Sequence, residues 1–131
     1  MTRSRRSRAD HGAAVVDFVL VSLVLVPLVL GLVQVALVLH VRNTLTAAAT
    51  EGARYGAAFD RGPQDGIART REQIATAVAD RFAGEVSGED VTVDGVPTVE
   101  IRVHATVPTL GVWGPGVVLD VAGHAVREEV P

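Results

Sequence analysis

The residue types that could carry chemistry stand near the start of the chain, in Gly12-Ala13-Ala14-Val15-Val16-Asp17-Phe18. A glycine followed by two alanines offers a protease cleft little steric resistance, so the Gly12–Ala13 bond is a candidate for hydrolysis. Cutting it would free an α-amine with a pKa near about 8, largely cationic at neutral pH. Asp17 lies four residues beyond Ala13 and shares its helix face, and an acid in a first helical turn is favoured by the macrodipole. The same cut would remove Arg3, Arg5, Arg6 and Arg8. This is chemistry done to the chain rather than by it. The plainer role for Asp17 is an interfacial acid that starts a membrane helix.

No constellation for catalysis by the chain itself is legible. There is no nucleophile elbow, no phosphate loop and no acid pair with supporting residues, so a non-enzymatic protein without cofactor is expected. His104 and His124 could sit on neighbouring strands, but two histidines without a third ligand read as solvated strand residues, and no metal is expected. Trp113 lies in the apolar loop from Gly111 to Gly116. It is a candidate partner contact, because Trp is enriched at interfaces, and filling the core beneath a hairpin is its competing role. The chain has no cysteine, hence neither disulfides nor thiolate chemistry.

Charge and hydropathy give the topology. Residues 1–12 carry four arginines against Asp10, a net of +3, whereas residues 40–131 carry eight arginines against thirteen acids, a net of −5. Cytoplasmic flanks of membrane helices are rich in basic residues, so the N-terminus is expected inside and the remainder outside. An acidic outer portion has no electrostatic footprint for nucleic acid. From Phe18 to Leu39 no residue carries a formal charge. Those 22 residues make a helix of about 33 Å, against a hydrocarbon core of about 30 Å. A secretory signal core is shorter, about 7 to 15 residues, and Ala47-Ala48-Ala49 lies too far beyond the apolar run to serve as its cleavage site. Pro27 removes a hydrogen bond within the span and is expected to kink it.

The elements around these residues follow from periodicity. The membrane helix is expected to continue as a stalk to about Ala58, with Val41, Leu45, Ala48, Gly52 and Gly56 near one face. Ala48, Gly52 and Gly56 form a small-residue series that lets helix backbones approach closely. Residues 59–66 read as a loop by their turn residues. A second, amphipathic helix is expected over Ile67 to Ala83, stopped by Gly84, then a loop at Ser87 and Gly88. Val91 to Val93 reads as a strand ending in the tight turn Asp94-Gly95. Thr98 to Val107 alternates strictly, with Val99, Ile101, Val103, Ala105 and Val107 inward and Glu100, Arg102, His104 and Thr106 outward. A last strand runs from about Val117 to Glu128, its pattern blurred by Asp120, Gly123 and His124. The fold class is therefore α+β: a long N-terminal membrane helix and stalk, a second helix, and a small antiparallel sheet of about three strands. The chain divides into a leader (1–12), the helix (13–58, span 18–39), a loop (59–66) and an outer domain (67–131).

Together the leader and Gly12, the Asp17-Phe18 pair, the apolar span, the stalk run with Glu51-Gly52-Ala53-Arg54-Tyr55, and the strand, loop, strand ending resemble the TadE-like pseudopilins of tight-adherence (Flp-type, type IVc) pilus systems. The resemblance implies cleavage after Gly12 by a prepilin peptidase, leaving Ala13 first. In that family the acid four residues beyond the new terminus is usually glutamate, followed by Phe or Tyr; here it is Asp17 with Phe18. The implied location is the bacterial cytoplasmic membrane, single-pass, N-terminus inside and outer domain outside. The implied partners are the peptidase, other pilins or pseudopilins and the Tad-type assembly platform. The alternative is an uncleaved single-span anchor carrying an extracytoplasmic binding or sensing domain.

Overall fold

The computed structural model describes residues 4–109 and 114–129, with side chains from Gly12 onward. The fold is α+β: helix α1 (Ser4–Ala57), helix α2 (Pro63–Ala77), a 3-10 turn (Asp80–Phe82), and strands β1 (Glu85–Val93), β2 (Val96–Val107) and β3 (Val117–Val126). Two compact units divide within α1, at residues 36 and 37.

In the first unit, α1 is exposed almost throughout from Gly12 to Ala36. The stretch Gly12–Ala57 contains a window of mean hydropathy 2.7 with none of it buried, long and apolar enough to cross a membrane. Pro27 lies inside the helix.

The second unit has its own core. One face of the α1 stalk supplies Val41, Leu45, Ala48, Ala49, Ala53 and Ala57, all buried. Apart from the adjacent pair Ala48 and Ala49, successive members are three or four residues apart, which keeps them on one stripe. Against this stripe lie Ile74 of α2, Phe82, Val86 of β1, the inward row Val99, Ile101, Val103, Ala105 and Val107 of β2, and Leu119 of β3. The sheet is an antiparallel meander, β1-β2-β3. Its first hairpin turns at Asp94 (φ 51°) and Gly95 (φ 81°), the pair of positive φ values that a type I′ turn requires.

Three element bounds differ from the periodic reading. First, α2 begins at Pro63, not Ile67, because Pro63 sits at its first position after Gly62, where a missing N–H costs nothing and the fixed φ suits a helix. The Gly62 N–H donates to Asp65 Oδ2 at 3.0 Å, closing that first turn. Second, α2 ends at Ala77; Val78 leaves helical geometry, and a 3-10 turn carries Phe82 into the core. Third, Ser87 and Gly88 are not a loop but the middle of β1, opposite Arg102 and Ile101. The reason is a close approach: a Cβ at Gly88 would fall 2.6 Å from Ile101 Cδ1 and 3.1 Å from Ile67 Cγ1. The strand therefore lets α2 and β2 meet beneath it.

Candidate functional site

Gly12 and Ala13 lie inside α1, exposed, with nothing within 4 Å of a Cβ placed on Gly12. The backbone there is helical on both sides of the Gly12–Ala13 bond. A protease that reads extended backbone must unwind this stretch. Gly12 is where unwinding is cheapest, since glycine costs a helix about 1 kcal/mol relative to alanine. Asp17 and Phe18 are exposed one turn later, Phe18 to 72%. With α1 beginning at Ser4, its first turn holds no acid. The dipole argument for Asp17 therefore applies to a helix that starts at Ala13.

The small residues of the stalk lie against α2. A Cβ on Gly52 would run into Thr70 Oγ1, and one on Gly56 would lie 2.9 Å from Gly62 O. In return, a Cβ on Gly66 would lie 2.6 Å from Gly52 O. Gly62, Gly66 and Thr70 repeat at the same four-residue interval as Ala48, Gly52 and Gly56. Reading α2 for that interval would have found the partner stripe. Thr70 Oγ1, fully buried, donates to Gly66 O at 2.8 Å and reaches Ala48 O at 3.4 Å. A groove of about 590 Å³ flanks this crossing, lined by Thr44, Ala48, Glu51, Arg69, Glu72 and Thr76 among others.

Gly123, which in the sequence only blurs the pattern of the last strand, has a structural reason. At Gly123 in β3 a Cβ would fall inside the Ala49–Thr50 peptide of α1. The strand can cross the stalk at backbone contact only because that residue has no side chain. Beyond β3 the chain turns back onto the end of α1. Glu128 N–H donates to Ala57 O at 2.9 Å, and Glu128 Oε2 accepts from Phe59 N–H at 3.3 Å. Arg127 pairs with Asp90 and donates to Arg61 O at 3.2 Å.

The outer sheet face is polar and ordered in rows. Glu85, His104 and Asp120 stand opposite one another on β1, β2 and β3, and Glu89, Glu100 and His124 do the same four residues along, with the Ser87, Arg102 and Ala122 row between. His104 Nδ1 lies 2.7 Å from Asp120 Oδ1, and Nε2 lies 3.9 Å from Glu85 Oε2. The hydrogen bond and charge of Asp120 raise the His104 pKa above its ordinary value, helped by Glu85. Glu100 departs from its expected wet position: it is only 7% exposed. Arg102 Nε pairs with one of its carboxylate oxygens, and His124 Nε2 lies 2.5 Å from the other. The Arg102 hydrogen bond, then His124, hold its pKa below the usual carboxylate value, against the effect of burial.

His104 and His124 stand in separate rows, four positions apart in register, about 13 Å along the strand direction. Among the described residues no group of three or more His, Cys, Asp or Glu is disposed to hold a metal ion. Trp113 lies outside the described residues.

Residues 12–54, about a third of the chain, match the family of TadE-like proteins. The matched stretch runs from the glycine through the apolar span into the buried stripe of the stalk. No curated protein and no solved structure matches the chain.

Proposed function

We propose that this chain, TadE-like over residues 12–54, is a structural subunit of a Tad-type pilus: a pseudopilin or minor pilin. It enters the membrane with Arg3 to Arg8 inside, is cut after Gly12 by a prepilin peptidase, and packs through α1 against other pilins or pseudopilins and the assembly platform. The observation that carries the reading is α1 itself. One helix joins an apolar length exposed on all sides to a stalk whose buried stripe forms one wall of a folded domain. An exposed apolar helix in lipid satisfies its own backbone and offers its surface to neighbouring helices.

In the cleaved chain Ala13 would carry the α-amine and Asp17 the carboxylate one turn away, a pairing set within or between subunits. The aspartate reaches about one methylene less far than glutamate.

The second reading is an uncleaved single-span anchor displaying a binding or sensing domain. What favours it is the helical backbone running unbroken through Gly12–Ala13. Intact mass and N-terminal sequencing of the membrane form, from cells with an active prepilin peptidase, separate the two. A mature chain beginning at Ala13 is expected; a chain beginning at Met1 or Thr2 would overturn the pseudopilin reading.

A further inference from the structure

Strand β3 is held weakly from within. Of its ten residues only Leu119 and Gly123 are buried, and Gly123 brings no side chain to the core. Val121 and Ala125 are half-buried, while Val117, Val118 and Val126 are exposed. The strand has one neighbour in the sheet, β2. It also meets the α1 stalk at Gly123, and the residues just after it bond to the end of α1. Across the outer face, the side-chain links from β3 to β2 among the described residues run between an imidazole and a carboxylate: His104 to Asp120 at 2.7 Å and His124 to Glu100 at 2.5 Å.

We propose that β3 is held to the sheet by a proton-dependent staple centred on His104, and that this edge strand loosens as the imidazole gives up its charge. Charged His104 attracts Asp120 on one side and Glu85 on the other, tying all three strands in one row. Neutral His104 keeps a hydrogen bond on one ring nitrogen and loses the attraction to both acids. The groups facing it are Glu85 from β1, Asp120 from β3 and Arg102 two residues along β2, whose charge is engaged by Glu100. The helices pack on the opposite face of the sheet and contribute nothing to this row. The His104 pKa is raised above 6.5 in the folded chain. The staple is therefore complete below that ordinary value and is lost as pH rises through the raised one.

Hydrogen exchange of the full chain in detergent micelles, followed by mass spectrometry and corrected for intrinsic exchange, tests this. Between about pH 5.5 and about pH 8, protection of the β3 amides relative to β1 and β2 is expected to fall about two- to fivefold, the size of one exposed cross-strand charge pair. His104→Gln and Asp120→Asn should each flatten the profile, with far-UV circular dichroism showing that both remain folded. A wild-type profile that is flat, or a fall that persists in His104→Gln, would overturn the proposal. NMR titration of the His104 ring gives an independent reading. Its midpoint should lie above that of a free histidine and return toward it in Asp120→Asn; a midpoint unmoved by Asp120→Asn would count against the staple.

Discussion

Glu100 shows how a single side chain can sit on the wet face of a strand and still be buried. Alternation assigns it outward correctly, but Arg102 two residues along and His124 across the ladder close over it and take up both its oxygens. Period-two patterning reports which way a side chain points, not what folds across it, so this pairing was invisible before the β2–β3 register was known. Of the three residues that blur the pattern of the last strand, His124 is the one that reaches Glu100, whereas Asp120 pairs with His104 and Gly123 meets the stalk. A lowered carboxylate pKa gives stability that is present above the unfolded value and lost as pH falls through the folded one. Replacing Glu100 by Gln should therefore destabilise the chain near neutrality by about 1.5 to 3 kcal/mol, the scale of hydrogen bonds to a charged group. The gap from wild type should close as pH falls below 4.5 and the native carboxylate protonates. Thermal melts of both proteins across that range measure it. A gap unchanged into acid would mean that the charge of Glu100 is not what holds Arg102 and His124.

At the scale of elements, the crossing of α1 and α2 is set by absent side chains. Gly52, Gly56 and Gly66 bring the backbones together so closely that Thr70 Oγ1 reaches Ala48 O on the other helix. An alanine at Gly66 would press on Gly52 O and Ile101 Cδ1, and overpacking of that kind costs about 1 to 3 kcal/mol. Gly84 has open space around its Cβ position and no positive φ, so Gly84→Ala should be neutral or slightly stabilising. Denaturant melts of the two variants make the comparison. Equal stability would show that the helices can separate without loss. The stripe on α1 was legible from spacing alone, whereas the start of α2 was not. Pro63, Asp65 and Gly66 are turn residues by type, and only their position after Gly62 makes them a helix start. The end of α2 was hidden for the opposite reason: Ala75, Ala77, Ala79 and Ala83 carry no stop signal, and it is the burial of Phe82 that draws the chain into a 3-10 turn.

At the scale of the molecule, α1 divides between an exposed length apolar enough to cross a membrane and a length that belongs to the folded domain. The compact unit that contains the sheet begins at Leu37, within α1. Val41 and Leu45, fully buried, are as much part of the core as Ile101 or Val103. Sequence periodicity marked these stalk residues as one face without saying what covers it, because the covering elements lie further along the chain, from α2 at Pro63 onward. The consequence is a sharp difference between two truncations. A fragment of residues 37–131 keeps the stalk wall, the contact of Ala49 and Thr50 with Gly123, and the bond from Glu128 N–H to Ala57 O. It is expected to be soluble, to unfold cooperatively and to give dispersed amide resonances. A fragment of residues 59–131 lacks all of these. Burial of Val41 and Leu45 alone is worth about 1.5 to 3 kcal/mol each, a large share of the roughly 5 to 15 kcal/mol by which a domain is stable. It should be unfolded or aggregated by circular dichroism and size-exclusion chromatography. If it folds as well as the longer fragment, the stalk is a tether rather than a wall. A load carried along α1 would then reach the sheet only through the short loop from Ala58 to Gly62, instead of through the whole buried stripe.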